Sequence, residues 1–98
     1  MKTEDKNIEM YYGDYGITLP IIIRNTLDTD EIKFNIYNVL NELKLEKILP
    51  YEEERWILEL TKEESLNLKK GDYWYEVVQY RNGILQKTIN KGSLFRVK

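Results

Sequence analysis

The chain contains neither cysteine nor histidine. Without cysteine there is no disulfide framework, no thiolate nucleophile and no cysteine-based zinc site. Without histidine, the commonest general base and the commonest transition-metal ligand are both missing. Glycine is sparse, at five positions, and none of them builds a phosphate-cradling loop. No apolar run approaches the roughly 20 residues that span a bilayer. The opening Met-Lys-Thr-Glu-Asp-Lys-Asn lacks the apolar stretch of a signal peptide, so the expectation is synthesis in a cytoplasm without export. A net charge of −2 gives no electrostatic reason to expect nucleic acid or an anionic membrane as a partner. These absences weigh against an enzyme, and no cofactor or metal is implied.

What is present is aromatic and strand-forming. Eight tyrosines, two tryptophans and two phenylalanines in 98 residues argue against disorder. The apolar share of 42% and the charged share of 33% suit one small domain. A domain of this length buries about 60–65% of its unfolded surface.

Residues 71–97 organise the chain as two β-rich runs joined at Asn82-Gly83. Both central positions of a type I′ turn need positive φ, which Asn-Gly supplies at the least steric cost. On the first run Tyr73, Tyr75 and Val77 share one face, and Trp74, Val78 and Tyr80 share the other. On the return run Phe95 and Val97 share a face.

Upstream, residues 1–7 read as a flexible polar tail and residues 8–98 as a single domain. Residues 8–12 suit a short strand, and Gly13-Asp14 a turn. A period of two then puts Tyr15, Ile17, Leu19, Ile21 and Ile23 on one face. Pro20 within that run predicts an edge strand or a bulge. Residues 25–30 read as a loop. Residues 31–37 alternate, with Ile32, Phe34 and Ile36 inward, and residues 38–42 read as a turn. Residues 43–49 suit a strand with Leu43, Leu45 and Leu49 inward, although Val39, Leu40, Leu43 and Lys47 also fit helical spacing. Residues 50–54 form an acidic loop, and residues 55–60 a strand with Trp56, Leu58 and Leu60 inward. Thr61-Lys-Glu-Glu64 has the form of a capping box, predicting one helical turn over 62–66. The sum is an all-β, antiparallel, immunoglobulin-like sandwich of about seven strands.

The charged residues admit bland readings. Asp28, Asp30 and Glu52 to Glu54 suggest a cation site, yet the Asp-x-Asp-x-Asp-Gly spacing of a calcium loop is absent, and a solvated acidic loop is favoured. Seventeen acidic residues make chance carboxylate pairs inevitable, so pairing alone does not indicate glycosidase chemistry. Residues 77–98 contain no acid but carry Arg81, Lys87, Lys91, Arg96 and Lys98. That asymmetry fits head-to-tail packing of identical subunits, or simply a wetted strand face guarding an edge.

Leu68-Lys-Lys-Gly71-Asp-Tyr73-Trp-Tyr75-Glu-Val77 resembles the Leu-x-Pro-Gly-x-Tyr-x-Tyr-x-Val stretch of small immunoglobulin-like domains of phage tails and baseplates. The N-terminal domain of phage baseplate upper proteins is the nearest in pattern. Gly13-Asp14 leading into an apolar run, Ile32, Phe34 and Ile36, then Thr61, Glu63 and Glu64, and finally Gly92, Phe95 and Val97 follow the family's order over residues 11–98. Lys70 stands where that family usually has proline, and family members often continue into a distal region. The resemblance implies a structural module mounted with other baseplate or tail proteins in a virion or tail-like particle.

If Tyr73 faces the core, then Trp74, Val78 and Tyr80 form an outward apolar surface. Three readings follow: a protein contact centred on those residues, a sugar-stacking platform, or a patch covered by a loop of the same chain. The contact reading is preferred, with homo-oligomerisation a further possibility and a carbohydrate-binding or adhesive module the alternative. Tyr73 itself suits a tyrosine corner or an ordinary core position.

Overall fold

The computed structural model describes residues 1–4 and 6–98. Among them are nine strands and one short helix: β1 (Lys2–Glu4), β2 (Asn7–Met10), β3 (Thr18–Ile21), β4 (Glu31–Tyr37), β5 (Leu43–Ile48), β6 (Tyr51–Glu52), β7 (Arg55–Glu59), α1 (Lys62–Asn67), β8 (Gly71–Arg81) and β9 (Ile84–Val97). The organising hairpin forms as its turn residues dictate. Arg81 pairs with Ile84, and the two residues between them take positive φ, 53° at Asn82 and 77° at Gly83.

The strands divide into two sheets, β1-β2-β9-β8-β4-β5 and β3-β7-β6. The fold is an all-β sandwich. β3, β7 and β6 stand where strands B, E and D stand in an immunoglobulin domain, and β9, β8, β4 and β5 where G, F, C and C′ stand. One pairing departs from the antiparallel expectation: β2 runs parallel to β9, with Ile8 opposite Phe95 and Met10 opposite Val97. The polar tail expected over residues 1–7 is also corrected. Lys2–Glu4 pairs antiparallel with Asn7–Met10, so the segment extends the larger sheet as a hairpin.

Alternation builds the core. Ile32, Phe34 and Ile36 on β4 are fully buried and pair with Gln79, Val77 and Tyr75 on β8. From the smaller sheet and its continuation come Trp56, Leu58 and Leu60, all buried. Phe34 stacks on Tyr75 with centroids 4.8 Å apart and meets Phe95 edge-on at 6.3 Å. On β3 the periodicity holds only in part. Leu19, Ile21 and Ile23 pack against the core, whereas Tyr15 and Ile17 are about half exposed. Pro20 sits on an edge strand, as its missing donor requires. Leu43 turns outward rather than inward, because a register shift between Ile36 and Tyr37 changes its parity.

Two local motifs set the entry into β8. Thr61 caps α1 reciprocally: its hydroxyl accepts from the Glu64 amide at 3.1 Å, and Glu64 accepts from the Thr61 amide at 2.8 Å. Lys47 of β5 donates to the same Glu64 carboxylate, tying the helix to the larger sheet. Burial opposes ionisation of Glu64, but the Lys47 and Thr61 hydrogen bonds prevail and hold its carboxyl below the ordinary range. Tyr73 then forms the tyrosine corner, donating to the Lys69 carbonyl at 2.8 Å. The acidic loop expected over residues 50–54 is instead a tight hairpin between β6 and β7, turning at Glu53-Glu54.

Candidate contact surface

The pairing registers resolve the outer face of the larger sheet into rows running across four strands. One row reads Leu43, Tyr37, Trp74, Leu94, from β5 through β4 and β8 to β9. The next reads Glu46, Asn35, Glu76, and the one beyond Ile48, Lys33, Val78, Thr88. Glu31, Tyr80 and Leu85 close that end.

The apolar row is built around two rings. Tyr37 and Trp74 stack with centroids 4.3 Å apart and planes 13° from parallel. Both are half-buried, and the register sets Leu43 and Leu94 on either side of them. The Tyr37 hydroxyl donates to Glu76 at 3.1 Å, where Asn35 also donates at 3.1 Å. Burial, reinforced by that carboxylate, raises the Tyr37 pKa above the ordinary tyrosine value, so the hydroxyl stays a donor. The Trp74 indole donates to the Asn41 side chain at 3.0 Å.

That last bond ties the sheet to the loop between β4 and β5. Asn38 is the loop's hub: its side-chain oxygen accepts from the amides of Leu40 at 3.0 Å and Glu42 at 2.9 Å, while its amide group donates to the Glu42 carboxylate at 2.9 Å. Backbone bonds from Asn38 to Glu42 and from Asn41 to Asn38 close it. At the tip of this fixed loop Val39 and Leu40 are 76% and 75% exposed. Two adjacent branched side chains held in water beside a half-exposed aromatic pair form an apolar surface that folding alone leaves unburied.

The three residues singled out in the sequence share this outer face but not one environment. Trp74 lies at the apolar row. Val78 belongs to the outer face as expected, but the expectation that it is exposed there is corrected: it lies between Lys33 and Thr88 in the register and is only 6% exposed. Tyr80 is half-buried beneath the Lys33 ammonium, which stands 5.1 Å from its ring centre and 3.7 Å from Glu46. Between Trp74 and the other two runs the polar row around Glu76. The surface therefore shifts toward the loop, to Tyr37, Val39, Leu40, Leu43 and Trp74. Sequence reasoning placed Val39 and Leu40 in a turn, with helical spacing as the competing reading, and not on a contact surface; the usable signal was two adjacent apolar residues inside a turn flanked by asparagines.

Other sequence candidates resolve into structural roles. Asp30 is buried and accepts from the Leu27 amide at 2.9 Å, from Gln79 at 2.8 Å, and from Arg81 through two bonds of 2.9 and 3.0 Å. Its oxygens thus clamp a loop to the top of β8. The Arg81 hydrogen bond, above all, holds its carboxyl well below the usual range. Arg96 pairs with Asp72 at 2.8 Å and Lys98 with Glu9 at 2.9 Å, so much of the basic terminal strand is neutralised within the chain. Among the described residues no group of three or more acidic side chains is arranged to hold a metal ion, and no helix is long and apolar enough to cross a membrane.

Comparison with known proteins returns no family model, no curated protein and no solved structure that matches the chain.

Proposed function

We propose that this chain is a non-enzymatic docking module that assembles with other proteins through the outer face of its larger sheet. The observation that carries the reading is the exposure of Val39 and Leu40 on a loop braced by Asn38 and Asn41 and abutting the Tyr37–Trp74 stack. Burying those two side chains in a partner contributes about 1.5–3 kcal/mol each. An aromatic pair beside them matches the usual make-up of an interface centre. The two rings are stacked on each other, so each covers one face of the other, and both are half-buried. That geometry favours a protein partner over a sugar-stacking platform.

The motif succession over residues 11–98 supplies the setting: a baseplate of a phage or prophage tail, with other tail proteins as partners. The test begins with the source cells. Resident prophages are induced, released particles are sedimented through a density gradient, and the chain is quantified against tail proteins by mass spectrometry. A constant ratio across the gradient is expected. Particles that form normally without the chain refute the baseplate setting. For the surface itself, Val39→Asp with Leu40→Asp should leave the melting temperature unchanged and weaken partner binding by roughly 100-fold or more. Undiminished binding by that variant refutes the contact assignment.

A further inference from the structure

The smaller sheet stops at β3 while the larger one runs on, and the seam between them is open. Leu19 and Ile21 face Ile89 across a cleft of about 240 Å³ whose lining includes Ile8, Tyr75 and Val77. Both flanking backbones have a side without a strand partner among the described residues. β3 pairs only with β7, and between Ile84 and Asn90 β9 pairs only with β8.

The charge around this cleft is of one sign. Lys6 lines it, and among the described residues no acidic side chain does. Toward the hairpin, the Lys87 ammonium reaches the Arg24 carbonyl at 3.5 Å, next to the lining residue Ile23. Among the described residues none of Lys6, Arg24 and Lys87 has an ion-pair partner, whereas Lys47, Arg81, Arg96 and Lys98 are each matched to a carboxylate.

We propose that this seam receives an extended segment of a partner protein, laid beside β3, with apolar side chains at alternate positions and carboxylates at its ends. A strand sends every second side chain to one side, which suits a narrow apolar slot, and the free β3 edge offers main-chain pairing. Carboxylates at the ends meet Lys6 and Lys87. Pro20 lacks a backbone donor within the β3 edge strand, and register shifts in its pairing with β8 make β9 irregular between Leu85 and Ser93. Both features discourage indiscriminate strand pairing, so side chains and charge must select the occupant.

The test titrates the full chain with blocked peptides while following isoleucine and valine methyl resonances. The first peptide alternates isoleucine with serine between glutamates. The second has lysine at both ends, and the third has the first one's composition with its isoleucines contiguous. The first peptide should shift Ile21, Val77 and Ile89 and bind at least ten-fold more tightly than either control. Lys87→Glu, at an exposed position, should abolish the preference for glutamate ends. Leu40→Asp should leave it unchanged, which separates this seam from the outer-face contact. Equal binding of all three peptides overturns the proposal. So does decanoate binding the same methyls more tightly than the first peptide, since the seam would then be a site for small aliphatic carboxylates.

Discussion

Replacing Glu53-Glu54 with Asn-Gly is expected to stabilise this protein. Among the described residues two hairpins close on two-residue turns with positive φ at both positions, yet only one carries residues suited to them. At the β8–β9 turn the values are 53° at Asn82 and 77° at Gly83; at the β6–β7 turn they are 50° at Glu53 and 65° at Glu54. A non-glycine residue held in the left-handed region costs about 1–2 kcal/mol. Asparagine relieves part of that at position 53 and glycine all of it at position 54. Against the gain stand about 0.5–1 kcal/mol for glycine's greater loss of freedom on folding. The exposed Arg55–Glu53 pair at 3.3 Å is also lost, and a contact of that kind contributes about 0–1 kcal/mol. The net is a stabilisation of about 1 kcal/mol, which raises the melting temperature of a domain this size by about 4–8 °C. Scanning calorimetry of the double variant measures it directly. The reciprocal variant, Asn82→Glu with Gly83→Glu, should melt lower by a comparable amount. An unchanged or lower melting temperature for the Asn-Gly variant at residues 53 and 54 would refute the reasoning, because backbone strain would not then be what separates the two turns.

Tyr73→Phe should cost about 1 kcal/mol in urea unfolding, the net worth of the hydroxyl's bond to the Lys69 carbonyl, with no loss of ring packing; an unchanged midpoint refutes the tyrosine-corner assignment. Acid should weaken the Asp30 clamp in a defined direction. Its carboxyl titrates lower in the folded than in the unfolded chain, so its contribution is complete above the ordinary carboxylate value of about 4 and is lost as pH falls from there toward the depressed folded value. The stability gap between the parent chain and Asp30→Asn should therefore be flat from about pH 8 to 5 and narrow below about pH 4; a gap that widens on acidification contradicts the ion pair.

What was legible in the sequence was local. The strand at residues 31–37 carried its period and its bounds together, and Asn82-Gly83 and Thr61-Lys-Glu-Glu64 each specify their motif by chemistry within a few residues. Alternation misled where a pattern outran its partner strand. Tyr15 and Ile17 continue the rhythm of β3 but lie beyond its pairing with β7, and about half of each stays exposed. Leu43 was misassigned because one register shift reverses a strand's parity, and such a shift is a property of two strands together. Residues 2–4 offered no apolar pattern, and the strand they form is held by backbone pairing to β2. The contact surface was hidden for a related reason: the row Leu43, Tyr37, Trp74, Leu94 draws one residue from each of four strands, and no window of sequence contains it.

The division of labour between the two ends of the sandwich follows from the same registers. At one end Glu31 pairs with Tyr80, close to the Asn82-Gly83 turn and the Asp30–Arg81 clamp; at the other Tyr37 pairs with Trp74, beside the loop that presents Val39 and Leu40. The first end spends its strong local chemistry on fixing the hairpin. At the second, Asn38, Asn41 and Glu42 use theirs to order a loop whose two apolar tips add nothing to the core. Ordering a flexible side chain on association costs about 0.5–1.5 kcal/mol, and holding the backbone beneath it in advance reduces what docking must overcome. A chain that needed only to fold would gain more from polar residues at positions 39 and 40, which cost nothing to expose. Keeping a valine and a leucine there, on a braced loop and next to a stacked aromatic pair, makes physical sense when a second molecule completes the burial.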